Sequence, residues 1–185
     1  MSEPTLLLLP LPPLQGAPRL WRSGQFVDNP WRLMRDDEPF PIGGWAILSL
    51  ARWRADHAAQ VVFDVPLGVR LAVADSLDMP ADDVGRLAVV VLPFPKFSDG
   101  RSYSTARRLR DAGYLGEIRA TGDVLLDQLP LMLRSGFDSF EIVDAATIKA
   151  LETASLPSVT RIYQAGTDAS GAMWLSRRGT IQASA

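Results

Sequence analysis

Apolar residues fall in short blocks separated by glycine, proline and charge, and the spacing inside each block predicts its element. Leu87-Ala88-Val89-Val90-Val91-Leu92 is continuously apolar, the pattern of a strand buried on both faces. Ala46 to Leu50 and Val69 to Val73 are shorter runs of strand length. Glu117 to Thr121, Ser139 to Val143 and Val159 to Tyr163 extend the series. Helical patterns lie between the later blocks. Thr105 to Ala112 is rich in arginine and leucine and ends at Gly113, a residue suited to closing a helix. Val124 to Arg134 places Val124, Leu125, Gln128, Leu129, Met132 and Leu133 on overlapping helical faces, with Pro130 as a point of kinking or division. Ala145 to Ala154 supplies a third helix.

Strands alternating with helices predict right-handed βα units and a parallel sheet. Four to six units are too few for a complete eight-stranded barrel. A partial TIM-like barrel and a small open parallel sheet remain as alternatives. Upstream, Leu20-Trp21-Arg22 and Gln25-Phe26-Val27 flank Ser23-Gly24, a hairpin turn signal. Asp28-Asn29-Pro30 then turns the chain into Trp31-Arg32-Leu33-Met34. These segments predict a small β appendage over 19–44, ahead of a parallel core over 45–166, in one α/β domain spanning 19–166. Residues 1–18 read as a flexible arm and 167–185, around Met173-Trp174-Leu175, as a loose tail.

Composition narrows the chemistry. At 185 residues and 47% hydrophobic, the chain has enough apolar material for one sizeable core. Its 19 basic and 21 acidic residues leave a net charge of -2, so no general field draws it to nucleic acid or an anionic membrane. Four arginines between Arg19 and Arg35 interleave with apolar residues, as on the solvated face of a sheet. There is no cysteine, which removes disulfides, thiolate catalysis and cysteine-ligated zinc or iron–sulfur clusters. The single histidine, His57, cannot form a multi-histidine metal site and reads as a surface helix residue. No metal and no cofactor is expected. Leu6 to Leu9 is cut short by proline and lacks the basic flank of a secretory signal. No run approaches a membrane span. The expected location is the cytoplasm.

In parallel folds, the loops after the strands' carboxyl ends gather on one edge, where ligands are met. After the strongest strand comes Phe94-Pro95-Lys96-Phe97-Ser98-Asp99-Gly100-Arg101-Ser102-Tyr103-Ser104. Lys96, Asp99 and Arg101 lie in this loop, and Asp123 follows the next strand. Asp144 follows the third strand and Gln164 the last. Arg119 stands inside a strand, where charge is costly unless it reaches a partner such as Asp123 or Asp99, or a ligand. Arginine forks suit planar and tetrahedral oxyanions. Ser102 and Ser104, at a helix start, offer hydroxyls to the same pocket or cap the helix. Gln128 completes the ligand-binding set of Lys96, Asp99, Arg101, Ser102, Ser104, Arg119 and Asp123. Asp123 and Asp127, four apart, are either paired carboxylates for acid/base work or a helix cap and first-turn charge. The catalytic candidates are Lys96, Asp99, Asp123 and Asp127.

The run Phe97 to Ser104, with Leu109-Arg110, Gly116-Glu117-Ile118-Arg119-Ala120 and Gly122-Asp123-Val124-Leu125, resembles the bacterial domain-of-unknown-function 934 family. Asp127-Gln128-Leu129 and Arg134 to Phe140 continue the match. It extends more weakly through Trp31-Arg32-Leu33 and Leu50-Ala51-Arg52-Trp53. Genes of that family commonly lie beside sulfite reductase genes, and members are often labelled probable oxidoreductases. The resemblance therefore implies a setting, assimilatory sulfite or nitrite reduction. Sirohaem–iron–sulfur reductases need cysteine ligands, which this chain lacks, and no flavin or nicotinamide fingerprint is visible. The expectation is an accessory protein that binds an anion, a tetrapyrrole carboxylate or the reductase and does not carry electrons itself. Two alternatives stand beside it. A partial-barrel enzyme would use Lys96 or Asp123 as acid/base and Arg101 and Arg119 to clamp a small phosphorylated or carboxylated substrate. A structural interaction subunit would use Trp21, Trp31 and Trp53 as an aromatic interface.

Overall fold

The structure, a computed structural model, describes residues 16–39, 43–56, 66–75, 81–153 and 156. Among the described residues, eight strands form one sheet in the order β2-β1-β8-β7-β6-β5-β4-β3. The strands are β1 (Arg19–Arg22), β2 (Gln25–Val27), β3 (Trp31–Leu33), β4 (Trp45–Ser49), β5 (Leu67–Arg70), β6 (Val89–Phe94), β7 (Glu117–Gly122) and β8 (Ser139–Ile142). The helices are α1 (Leu50–Ala55), α2 (Ala81–Gly85), α3 (Arg101–Asp111), α4 (Leu129–Arg134) and α5 (Ala145–Thr153).

From β3 to β8 every pairing is parallel, as alternating βα units require. The sheet as a whole is mixed, because β1 runs antiparallel to both β2 and β8. The three strands described within 19–44 are consequently part of the same sheet as the parallel core, rather than the separate small appendage expected. Ser23 and Gly24, with φ of 51° and 86°, make the expected tight hairpin, which adds two strands beside β8. Trp31 to Leu33 adds one beside β4 at the other edge.

The three residues Asp28 to Pro30 join β2 at one edge to β3 at the other. A flat eight-stranded sheet would set those edges about 34 Å apart, whereas the link spans at most about 14 Å. The sheet therefore curls into a half-barrel. Trp31 accordingly packs in one cluster with Ile47 and with Val89 and Val91 of β6, three strands along. The opposite face carries Val90, Leu92, Phe94, Ile118, Ala120, Phe140 and Ile142 into the main core, where Ala106, Leu109, Leu129 and Met132 of α3 and α4 cover it. β6 is continuously apolar because it meets both clusters.

Trp21, Trp31 and Trp53 are all buried, so the expected aromatic interface is interior packing instead. The predicted helix over 124–134 is divided: a 3-10 turn, Leu126–Gln128, precedes α4, and Pro130 stands in the first turn of α4, where its missing N–H costs nothing. α3 begins earlier than predicted and buries Ser102, Ala106 and Leu109 on one stripe. The strand expected at 159–163, with Gln164, His57, the arm before residue 16 and the tail, lies outside the described residues. No helix among those described is long and apolar enough to cross a membrane.

Candidate functional site

A cleft of about 580 Å³ opens at the carboxyl ends of β3 to β7. Each strand delivers its last residues there: Leu33, Ser49, Arg70, Phe94 and Gly122. Its floor is apolar, with Leu50, Leu71 and Phe94 almost wholly buried. Polar groups are few and mostly engaged. Ser49 donates its hydroxyl to Asp36 at 2.7 Å and accepts the Arg52 N–H at 3.0 Å, capping α1. Arg52 in turn donates to the carbonyls of Arg35 and Glu38, which fixes the turn presenting Asp36. Asp75 accepts the Ala72 N–H at 2.6 Å, and Thr121 donates to Glu141 at 2.9 Å. The Arg70 guanidinium makes no hydrogen bond or ion pair among the described residues. An exposed guanidinium at the end of a buried strand is thus the cleft's one uncommitted charge among the described residues.

None of the ligand-binding candidates named from sequence, Lys96, Asp99, Arg101, Ser102, Ser104, Arg119, Asp123 and Gln128, lines this cleft. Pro93, Phe94, Pro95, Thr121 and Gly122 of the flagged loops form its wall. Lys96 and Ser104 are exposed beyond it. Arg101 pairs with Asp99, Nε to Oδ1 at 3.0 Å, and that bond holds the Asp99 carboxyl at about 2, below its ordinary 3.8. Ser102 donates to the Pro93 carbonyl at 2.6 Å and tethers α3 to β6 rather than capping it. Asp123 accepts the Phe97 N–H at 2.9 Å, while Gln128 donates to the Phe97 carbonyl at 2.6 Å. The loop after β6 is therefore pinned on both sides by side chains of the loop after β7. Asp127 is exposed; its charge, after burial, adds to the upward shift of the Tyr103 phenol. Asp144 accepts the Thr147 N–H at 2.7 Å and caps α5.

Arg119 does not pair with Asp123 or Asp99. Its side chain, 1% exposed, lies on the inner face of the half-barrel. It donates to Glu117 at 2.9 and 2.7 Å, to Asn29 at 3.0 Å and to Glu141 at 3.2 Å. Ser139 also donates to Glu117, at 2.6 Å. A strand arginine here forms an internal ionic lock, and Asn29 brings the β2–β3 link into it.

The cleft residues Asp36, Ser49, Arg70 and Asp75 escaped the sequence reading. The expected strand runs from Val69 to Val73 and so encloses Arg70, whereas β5 stops at Arg70. Among the described residues, no three carboxylate or imidazole side chains assemble a metal-binding set.

Fold and cleft together define an α/β half-barrel protein with an open mouth at the carboxyl ends of its parallel strands. The chain belongs to a family described as bacterial proteins of unknown function, DUF934, whose model matches residues 68–174. No curated protein matches it, and no solved structure does. The matched segment supplies Arg70, Asp75 and Thr121 to the cleft, and the residues before it supply Leu33, Asp36 and Ser49.

Proposed function

We propose that the protein is an accessory component of assimilatory sulfite or nitrite reduction that seats an anion in the half-barrel mouth and carries no electrons itself. The observation supporting this reading is Arg70, a guanidinium without a protein partner among the described residues, at the strand end where parallel folds meet ligands. Its fork geometry suits an oxyanion held by two parallel hydrogen bonds. The genomic setting implied by the family resemblance supplies the pathway. The pinned loop carrying Lys96 and the exposed Phe97 borders the mouth and offers the reductase a preformed contact.

Thermal melts and calorimetry with sulfite, nitrite and phosphate, on the protein and on Arg70→Ala, test the anion seat. A bound anion at a hundred times its Kd stabilises by about 2.7 kcal/mol, a rise of roughly 5–10 °C for a domain of this size. Arg70→Ala should abolish the rise while melting normally without anion. Equal shifts in both proteins would sink the reading. A pull-down on purified sulfite reductase tests the partner. An enzyme is the second reading, favoured by the Asp36 and Asp75 carboxylates in the same cleft, and conversion of a bound organic anion would establish it.

A further inference from the structure

The mouth is much larger than an inorganic oxyanion, and its lining is mostly carbon. Leu33, Met34, Leu71, Pro93, Phe94 and Pro95 supply apolar wall on both sides of about 580 Å³, the size range of sites that enclose organic molecules. The charge balance is equally restrictive. Two carboxylates, Asp36 and Asp75, line the mouth together with one guanidinium, Arg70, so the described lining holds one excess negative charge. A small dianion would meet net repulsion there and leave the apolar walls wet. A singly charged head at Arg70 matches the one uncommitted charge among the described residues of the cleft, and an apolar body behind it would cover the walls.

From this geometry we infer that the ligand of the mouth is an organic monoanion, a carboxylate or sulfonate head on an apolar body, selected over free inorganic oxyanions. The inference rests on Arg70 being the anion seat and specifies what that seat takes. Asp36 and Asp75 act as the selective element, since they penalise a second negative charge on the ligand. Leu33, half-exposed at the end of β3, forms the outer wall against which the body lies.

The test is a series of straight-chain alkanesulfonates, from methane- to hexanesulfonate, titrated by calorimetry beside sulfate and sulfite. Each methylene that enters the cleft should tighten binding roughly threefold to fourfold, from about 0.8 kcal/mol per buried methylene. The gain should stop when the cleft is full. Leu33→Ser should flatten the dependence on chain length. Arg70→Ala should lose the longest member at least tenfold. Affinity independent of chain length, or sulfate binding more tightly than hexanesulfonate, would overturn the inference and leave the anion seat standing. A chain-length dependence that survives intact in Arg70→Ala would overturn it too, since the head would then be unrecognised. If neither the inorganic nor the organic anions bind, the anion seat itself fails.

Discussion

Replacing Arg119 with methionine removes the centre of the ionic lock inside the half-barrel. The substitution leaves Glu117 and Glu141, with side chains 8% and 19% exposed, facing one another without their common cation. Arg22 reaches Glu117 at 3.3 Å but is half in solvent and neutralises only part of that charge. Removing one partner of a buried ion pair costs about 3–5 kcal/mol, because the remaining charge stays desolvated. For a domain of this size that is a fall in Tm of roughly 6–20 °C. The assay is urea unfolding followed by circular dichroism, with hydrogen exchange on β1 to β3, since Asn29 loses its bond to Arg119 and the edge-to-edge link should loosen. The triple variant Arg119→Met, Glu117→Gln, Glu141→Gln separates the lock from simple packing. Removing all three charges should recover most of the loss, because an uncharged replacement of a buried ion cluster is often near neutral. A loss under 1 kcal/mol for Arg119→Met would refute the reasoning, and so would a triple variant no better than the single one. Loss of anion binding with stability intact would instead make Arg119 a ligand residue.

Gly122 has φ of 102°, and a Cβ there would lie 2.3 Å from the Phe94 carbonyl oxygen, so Gly122→Ala should cost at least about 1–3 kcal/mol from backbone strain alone and reduce soluble yield. Asp123→Ala and Gln128→Ala each free one side of Phe97; each should cost about 1 kcal/mol in urea unfolding and speed hydrogen exchange between residues 95 and 99. Burial raises the Tyr114 phenol above its ordinary 10.0, with the hydroxyl donating to the Leu87 carbonyl at 3.0 Å. That group favours folding fully below about pH 10, and the contribution falls as pH climbs towards the higher folded value; Tyr114→Phe should flatten this alkaline decline in a melt series. For Asp99 the sign is reversed: its contribution is present above 3.8 and lost as pH falls through about 2, and Arg101→Ala should return the carboxyl towards 3.8 in an NMR titration.

Most of the parallel half of the fold was legible because its strands are short apolar blocks between turn signals. β6 showed it best: Val89 and Val91 meet the inner cluster, and Val90 and Leu92 the outer one, so no polar residue breaks the run. The antiparallel part was legible only locally. Ser23-Gly24 announced a hairpin, but nothing in residues 19–27 says that Trp21 will lie against Phe140, more than a hundred residues on. Register across such distances depends on how the sheet curls, and the curl follows from the three-residue link between edge strands, which has meaning only once strand order is known.

The same dependence explains why Arg119 looked like a ligand residue. Taken alone, an arginine in a strand signals either a partner or a site, and proximity in sequence offered Asp123. The period of two tells more. Glu117, Arg119 and Thr121 alternate with Ile118 and Ala120, and Ser139 and Glu141 alternate with Phe140 and Ile142. Two neighbouring strands that each present acid, base or hydroxyl at every second residue will line one face with compensating charge. Arg70 lacks such company: its neighbours in register are Ser49 and Val91, neither of which can neutralise it. The two arginines, both on the inner face of parallel strands, thus divide by their cross-strand neighbours. The one with carboxylates on its neighbouring strands is locked inside the half-barrel, and the one with Ser49 and Val91 beside it stands exposed at the cleft, where the proposed anion seat places it.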